Sequence, residues 1–162
     1  MVPRLIAEQP EEWRLGRLTV LVDFARGAAR IRFARNAIAK VACEAEQVVA
    51  GCRKALARFQ AESLPPDAFA AALAAAHGGG AVPLVALVPL VGRAAGRKRY
   101  TRAQFVWDLA RTRSERGLLL PQGRRIAVDV ATGAGAPAGA LWIEDESGTG
   151  QYYRTLRLLE PP

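Results

Sequence analysis

Apolar or small residues recur at alternating steps of four and three positions over a forty-residue stretch, and this spacing constrains the fold most strongly. The members of this seam are Val20, Phe24, Gly27, Ile31, Ala34, Ile38, Val41, Ala45, Val48, Cys52, Ala55 and Phe59. Steps of four and three are the heptad spacing of a helix that packs along one stripe. The seam therefore predicts a long helix, bent or broken near Gly27.

The predicted helix has a plausible beginning and end. Pro10 precedes Glu11 and Glu12, and two carboxylates in a first turn stabilise the positive end of the helix dipole. Ser63 and the two prolines after Leu64 end it. We expect residues 1–63 to form a helical, coiled-coil-like region that mediates self-association or docking to a larger assembly.

A second interpretation fits the first half of the seam. Leu18, Val20, Val22 and Phe24 alternate with other residues, and Ile31 and Phe33 alternate with arginines. Alternation with period two is typical of a half-buried strand. A hairpin that turns at Arg26-Gly27 explains this part equally well, although the helix is preferred because the seam keeps its phase across the turn.

The two cysteines, Cys43 and Cys52, stand nine positions apart. On one helix they would lie about 13 Å apart along the axis and on opposite faces, too far for a disulfide. We expect two free, small, buried or half-buried thiols. Free thiols and an N-terminus without an apolar run predict a cytoplasmic protein.

The region after Ser63 predicts short elements in a definite order. A helix is expected over residues 66–77, a short strand at Val82-Pro83-Leu84, and a brief helix over 86–91. Thr101 and Gln104 match a capping box that opens a helix over 101–116, with Gly117 as its C-terminal glycine. Strands follow over 118–120, 124–130, 140–145 and 151–159.

This order of helix, short strand, two helices and a strand pair around a loop resembles the winged helix-turn-helix superfamily. The resemblance covers residues 66–159 and rests on element order. It implies that the helix over 101–116 is the recognition helix and that the Ala-, Gly- and Pro-rich loop over 131–139 is the wing. The expected fold class is α+β: a long N-terminal helix or helical hairpin, followed by a winged-helix-like domain over 64–162 with a small antiparallel sheet.

Charge is unevenly distributed along the chain. The formal net charge is +8, and residues 93–130 carry ten Lys or Arg against three Asp or Glu. A concentrated positive charge attracts polyanions. Together with the winged element order, it predicts a non-enzymatic nucleic-acid-binding protein, with DNA as the expected partner.

Phosphate contacts are expected to dominate this binding. At 100° per residue the outward face of the helix over 101–116 holds Gln104, Asp108, Arg111, Thr112 and Glu115, so Gln104 and Arg111 are the expected base readers. Phosphate contacts are assigned to the remaining cations. These are Arg97, Lys98, Arg99, Arg102, Arg113, Arg124 and Arg125.

A second basic block lies within the N-terminal region. Arg26, Arg30 and Lys40 fall on one flank of the seam, and no acidic residue separates them. The stripe fits either the solvated edge of a coiled coil, which is favoured, or a track along a phosphate backbone.

Composition and motifs argue against several other classes of protein. One His and two Cys leave little material for a metal site, so neither a metal nor a cofactor is expected. Residues 92–98 lack the P-loop spacing, and no nucleophile and base can be placed together, so no enzymatic activity is expected. The uncharged stretch over 68–92 is rich in Ala and interrupted by Gly and Pro, which disfavours a membrane span. The alternative function is a protein-interaction scaffold or accessory subunit without nucleic-acid contact.

Overall fold

The fold divides into two compact units, Met1–Glu62 and Ser63–Pro162. The computed structural model describes residues 4–8, 11–116, 120, 123–132, 138–145 and 149–161.

The first unit is a five-stranded antiparallel meander followed by one helix. Its elements are β1 (Arg4–Glu8), β2 (Glu11–Leu15), β3 (Leu18–Asp23), β4 (Ala28–Phe33), β5 (Asn36–Ala42) and α1 (Ala45–Glu62), and the sheet order is β1-β2-β3-β4-β5. The predicted fold class is therefore wrong for this part of the chain. Strands, rather than a long helix or helical hairpin, begin the protein, and the hairpin interpretation at Arg26-Gly27 is the correct one.

The period-two alternation predicts this region correctly, and the four-three spacing does not, because alternation gives each strand one buried face. Val20 pairs with Ile31 and with Trp13, and Ile31 pairs with Ala39, so these side chains lie on one face of the sheet. Val20 and Ile31 are fully buried. The other face carries polar residues, as expected for a sheet covered on one side.

Helix α1 covers the apolar face, mainly over β4 and β5. Cys52, Ala55 and Phe59 are its buried residues, and the Phe59 ring lies 5.4 Å from that of Phe33. The C-terminal end of the predicted seam is thus helical and faces the core. The four-three spacing is a real helical signal only after residue 45.

Gly51 sets how closely α1 approaches the sheet. A Cβ atom at this position would lie 2.8 Å from Ile31 Cδ1 and 2.8 Å from Val41 Cγ1. Any side chain there would push the helix away from β4 and β5, because the core is already close-packed.

The second unit combines three helices with a small antiparallel sheet. Its elements are α2 (Pro66–Ala76), β6 (Val82–Pro83), α3 (Leu84–Ala94), α4 (Arg102–Arg116), β7 (Arg125–Val130), β8 (Leu141–Glu144) and β9 (Gly150–Leu159). The strand order is β6-β9-β7, and β8 also pairs with β9. The predicted helices, and the strands expected near 82–84, 124–130, 140–145 and 151–159, are found to within a few residues. Leu120 is not in a strand. Residues 117–119 and residues 133–137 of the expected wing lie outside the described residues.

The core of this unit lies where the three helices meet the sheet. The rings of Phe69 on α2 and Phe105 on α4 lie 5.7 Å apart, edge to face, and Leu73, Leu87 and Leu156 are fully buried around them. Burying such side chains contributes about 1.5–3 kcal/mol each. The uncharged stretch over 68–92 is thereby divided among α2, β6 and α3.

We predict that Gly51→Leu destabilises the protein by about 1–3 kcal/mol, because the side chain overpacks the contact with Ile31 and Val41. The matched control is Ala50→Leu, at the exposed neighbouring position, which should change stability by less than about 0.5 kcal/mol. Urea unfolding followed by circular dichroism measures both. Equal stability of the two variants would contradict the packing described here.

Candidate nucleic-acid interface

Five cations surround the turn between α3 and α4. The side chains of this basic loop are exposed. They are Arg93, Arg97, Lys98, Arg99 and Arg102. Four of the five lie within six consecutive positions, so the loop presents dense positive charge to solvent.

The ends of the two helices hold the backbone of the basic loop. Gly96 adopts a left-handed conformation with φ of +67°, its N–H donates to Arg93 O, and the Arg97 N–H donates to Gly92 O. This is a Schellman motif, which ends α3 and suits a glycine. At the other end, the Thr101 hydroxyl accepts from the Gln104 N–H at 3.2 Å and caps α4.

A buried carboxylate anchors the middle of the basic loop. Asp108 on α4 is 1% exposed, and its Oδ2 accepts a hydrogen bond from the Tyr100 hydroxyl at 2.6 Å. Its Oδ1 accepts from the Ser63 hydroxyl at 2.8 Å, from the Leu64 N–H at 3.2 Å and from Gln104 Nε2 at 3.4 Å. One side chain thus joins the basic loop, α4 and the segment before α2.

Burial has the largest effect on the pKa values of both Asp108 and Tyr100. It raises the pKa of Asp108, while the hydrogen bonds from Tyr100, Ser63, Leu64 and Gln104 oppose the rise. Burial, together with the adjacent Asp108, also holds the pKa of Tyr100 far above its usual range, although Arg97 lowers it. The tyrosine therefore stays protonated and keeps donating to the carboxylate.

The cations of the basic loop keep their charge free for another partner. Within the described part of the chain, no salt bridge or side-chain hydrogen bond involves Arg93, Arg97, Lys98, Arg99 or Arg102. Arg124 differs, because its Nε lies 3.3 Å from Glu160 Oε1. Among the residues of the second unit that the structure describes, the basic loop is thus the densest group of exposed cations without an ion-pair partner.

The predicted outward face of α4 is wrong at Gln104, Asp108 and Thr112, and the side chain of Glu115 lies outside the described part of the chain. Gln104 is 4% exposed, and Asp108 and Thr112 are each 1% exposed. Every residue from Ala103 to Leu109 is buried, because α2, α3 and β8 surround this part of the helix. Gln104 is therefore turned toward Asp108 rather than toward a base.

The remaining predicted contacts lie away from the basic loop. Arg111 is half-buried, and its Nη1 donates to the Ser63 hydroxyl at 3.2 Å. Arg113 is half-buried about 16 Å along α4 from Arg102. Arg125 is exposed at the start of β7, opposite Leu159. Of the predicted set, the structure brings together Arg97, Lys98, Arg99 and Arg102.

Two members of the basic block in the N-terminal region lie on the open face of its sheet. Arg30 and Lys40 are cross-strand partners on β4 and β5, and both are exposed. Arg26 instead pairs with Asp23 at 3.6 Å. The stripe predicted on the flank of a helix is therefore a like-charged pair on a sheet, an arrangement that is mildly destabilising without a counterion.

Sequence reasoning missed the anchoring role of Asp108 and Tyr100. The available signal was the stripe of Gln104, Asp108 and Thr112, which recurs every four residues on a helix whose other residues over 103–110 are all apolar. Such a stripe fits a buried hydrogen-bond network as well as a wet face. The shortage of cations on that stripe favoured burial.

We predict that Asp108→Leu destabilises the second unit by about 1–3 kcal/mol or more, because buried donors lose their acceptor. Asp108→Asn keeps the shape and an acceptor oxygen, so it should retain most of the stability at neutral pH. Thermal and urea unfolding measure the difference between the two variants. Equal losses would contradict a hydrogen-bonding role.

The pH dependence of stability provides a separate check. Because the folded-state pKa of Asp108 is raised, the native state binds more protons than the unfolded chain between the two pKa values. The contribution of Asp108 to stability is therefore fully present below the unfolded value and decreases as pH rises through the folded one. The stability of Asp108→Asn relative to the wild type should rise with pH across this window. A constant difference would contradict the raised pKa.

Neither a group of metal ligands, nor a membrane-spanning helix, nor a similarity to known proteins identifies the function of this site. Within the described residues, no three His, Cys, Asp or Glu side chains are grouped as metal ligands. No described helix combines the length and apolarity needed to cross a membrane. The chain matches no protein-family model, no curated protein and no solved structure.

Proposed function

We propose that this protein binds nucleic acid, with duplex DNA as the expected partner, through phosphate contacts made by the basic loop. The observation that carries the proposal is the group of five exposed cations between α3 and α4 without intramolecular ion pairs in the described part of the chain. Arg suits phosphate because its planar fork donates two parallel hydrogen bonds. No catalytic step is involved.

The fixed backbone of the basic loop supports this proposal. The Schellman motif, the Thr101 cap and the Tyr100–Asp108 hydrogen bond hold the loop from three sides. A preorganised loop loses less conformational entropy when a ligand binds. The N-terminus of α4 adds the positive end of a helix dipole beside the same cations.

The winged helix-turn-helix resemblance remains a prediction for residues 66–159. The element order α2-β6-α3-α4-β7-β8-β9 and the strand order β6-β9-β7 support it, and β8 is an additional strand paired with β9. The burial of α4 from Ala103 to Leu109 leaves that part of the helix no face to insert into a groove. We therefore propose affinity that depends on salt and shows little sequence preference, because phosphates carry no direct sequence information.

The test is a titration of duplex DNA at several salt concentrations with a triple variant, Arg97→Gln, Lys98→Gln and Arg99→Gln. The wild type should bind more weakly as salt rises, and the variant should lose affinity. Its slope of log affinity against log salt should be lower by about three, since each phosphate contact contributes roughly one.

A matched control removes two arginines and one lysine that lie outside the basic loop and outside the predicted contacts. Arg58 and Arg157 pair with Glu62 and Asp129 at 3.3 and 2.7 Å, and Lys54 is exposed on α1. Replacing all three with Gln changes the net charge equally, and it should alter the salt slope much less. Equal losses in both triple variants would indicate a net-charge effect and would overturn the assignment to the basic loop.

The alternative is a scaffold that binds only protein. Absence of DNA binding by the wild type at low salt would remove the nucleic-acid proposal and favour that alternative. The predicted self-association relies on an N-terminal helical seam, but residues 20–41 of that seam lie on strands, on turns and on a short 3-10 helix at Phe24–Arg26. Light scattering would give the oligomeric state, which remains a prediction.

A further inference from the structure

The first unit contains an apolar cavity between its sheet and α1. The cavity measures about 460 Å³, within the range of pockets that bind small molecules. Its walls come from β2 and β3 on one side and from α1 on the other, and they include Trp13, Leu15, Val20, Val48 and Cys52.

The cavity exists because α1 covers only part of the sheet. Gly51 draws the helix close to Ile31 on β4 and Val41 on β5, while the apolar side chains of β2 and β3 continue the same face. Part of the apolar face of the sheet, on β2 and β3, is therefore not covered by α1.

The deep walls of the cavity are apolar, and its more exposed lining combines apolar and charged side chains. Leu15, Val20 and Cys52 are buried, whereas Phe24 is 65% and Val49 38% exposed. Two charged residues, Glu11 and Arg53, also line the cavity. This arrangement suits a molecule with an apolar body and one polar end.

The two charges are not equivalent. Trp13 Nε1 donates to Glu11 Oε2 at 3.2 Å, so the carboxylate already has a partner. Arg53 is exposed and takes part in no ion pair or side-chain hydrogen bond within the described part of the chain. Arg53 is therefore the charged group at the cavity that is available to pair with an anionic head.

We propose that this cavity binds a small amphipathic molecule whose apolar tail lies between β2, β3 and α1 and whose anionic head pairs with Arg53. A medium-chain carboxylate has this chemistry. The site lies wholly within the first unit and is independent of the basic loop, so failure of one proposal leaves the other untouched.

The test uses decanoate below its micelle concentration with the full-length protein. Calorimetry should give one saturable site and a negative heat-capacity change, the signature of apolar burial. Decanoate should also slow the reaction of Cys43 with a thiol reagent, because Cys43 and Cys52 both line the cavity and both are free. Absence of saturable binding or of thiol protection would overturn the proposal.

Two variants test where the apolar tail and the anionic head of decanoate bind. Val48→Phe fills the cavity and should abolish binding, whereas Arg53→Gln should weaken decanoate binding roughly two- to fivefold, as expected for an exposed ion pair. Lys54→Gln is the matched control, because it removes the same charge from the next position, which does not line the cavity. It should leave the affinity unchanged.

Three further outcomes decide between occupants. Decanol should bind wild type and Arg53→Gln equally, because it lacks the anionic head. Tighter binding of decylammonium than of decanoate would overturn the assignment of the head to Arg53. A dimer whose thiols are protected without any ligand would assign the cavity to a second copy of the chain and would overturn the small-molecule site.

Discussion

The hydrogen bonds to Asp108 are the interaction on which the second unit and its candidate site depend. A carboxylate that is 1% exposed is costly to bury, and here four donors from three parts of the chain offset part of that cost. The segment before α2, the basic loop and α4 are thereby fixed to one another. Apolar contacts such as that between Phe69 and Phe105 lack this directional specificity.

This buried network explains two features of the second unit. It holds the basic loop in place through Tyr100, and it turns inward the face of α4 that was expected to read bases. The polar stripe of α4 faces inward to serve Asp108, and β8 covers another side of the helix with Leu141 and Ile143, both buried. Tyr153 pairs with Val130 on one edge of β9 and with Leu141 on the other. β8 therefore lies on the opposite edge of β9 from β7, where it contacts α4.

The fold could be predicted from sequence where local signals and tertiary packing agree. The cap at Thr101 and the alternation in β7 and β9 placed the elements of the second unit to within a few residues. The first unit was mispredicted because its β4–β5 turn uses Ala34 and Arg35, both with positive φ. Two-residue hairpin turns favour Asn and Gly there, so no turn signal interrupted the helical spacing. Asn36 Nδ2 supports this turn by donating to Phe33 O and Ala34 O.

The candidate sites were predictable to different degrees. A short linker rich in Lys and Arg can be recognised from the sequence alone, so Arg97, Lys98 and Arg99 could be predicted as phosphate contacts. Gln104 faces inward because it donates to the buried Asp108, whose other partners, Ser63 and Tyr100, no helical projection contains. The cavity beside α1 depends on Gly51 and on a sheet that the seam had concealed.

The most direct measurement of the central claim is the DNA affinity of Tyr100→Phe across a salt series. This variant keeps every cation and removes only the hydroxyl that anchors the basic loop to Asp108. Preorganisation by that anchor predicts weaker binding with an unchanged salt slope. Wild-type affinity in this variant, or an affinity loss accompanied by a changed slope, would contradict the account.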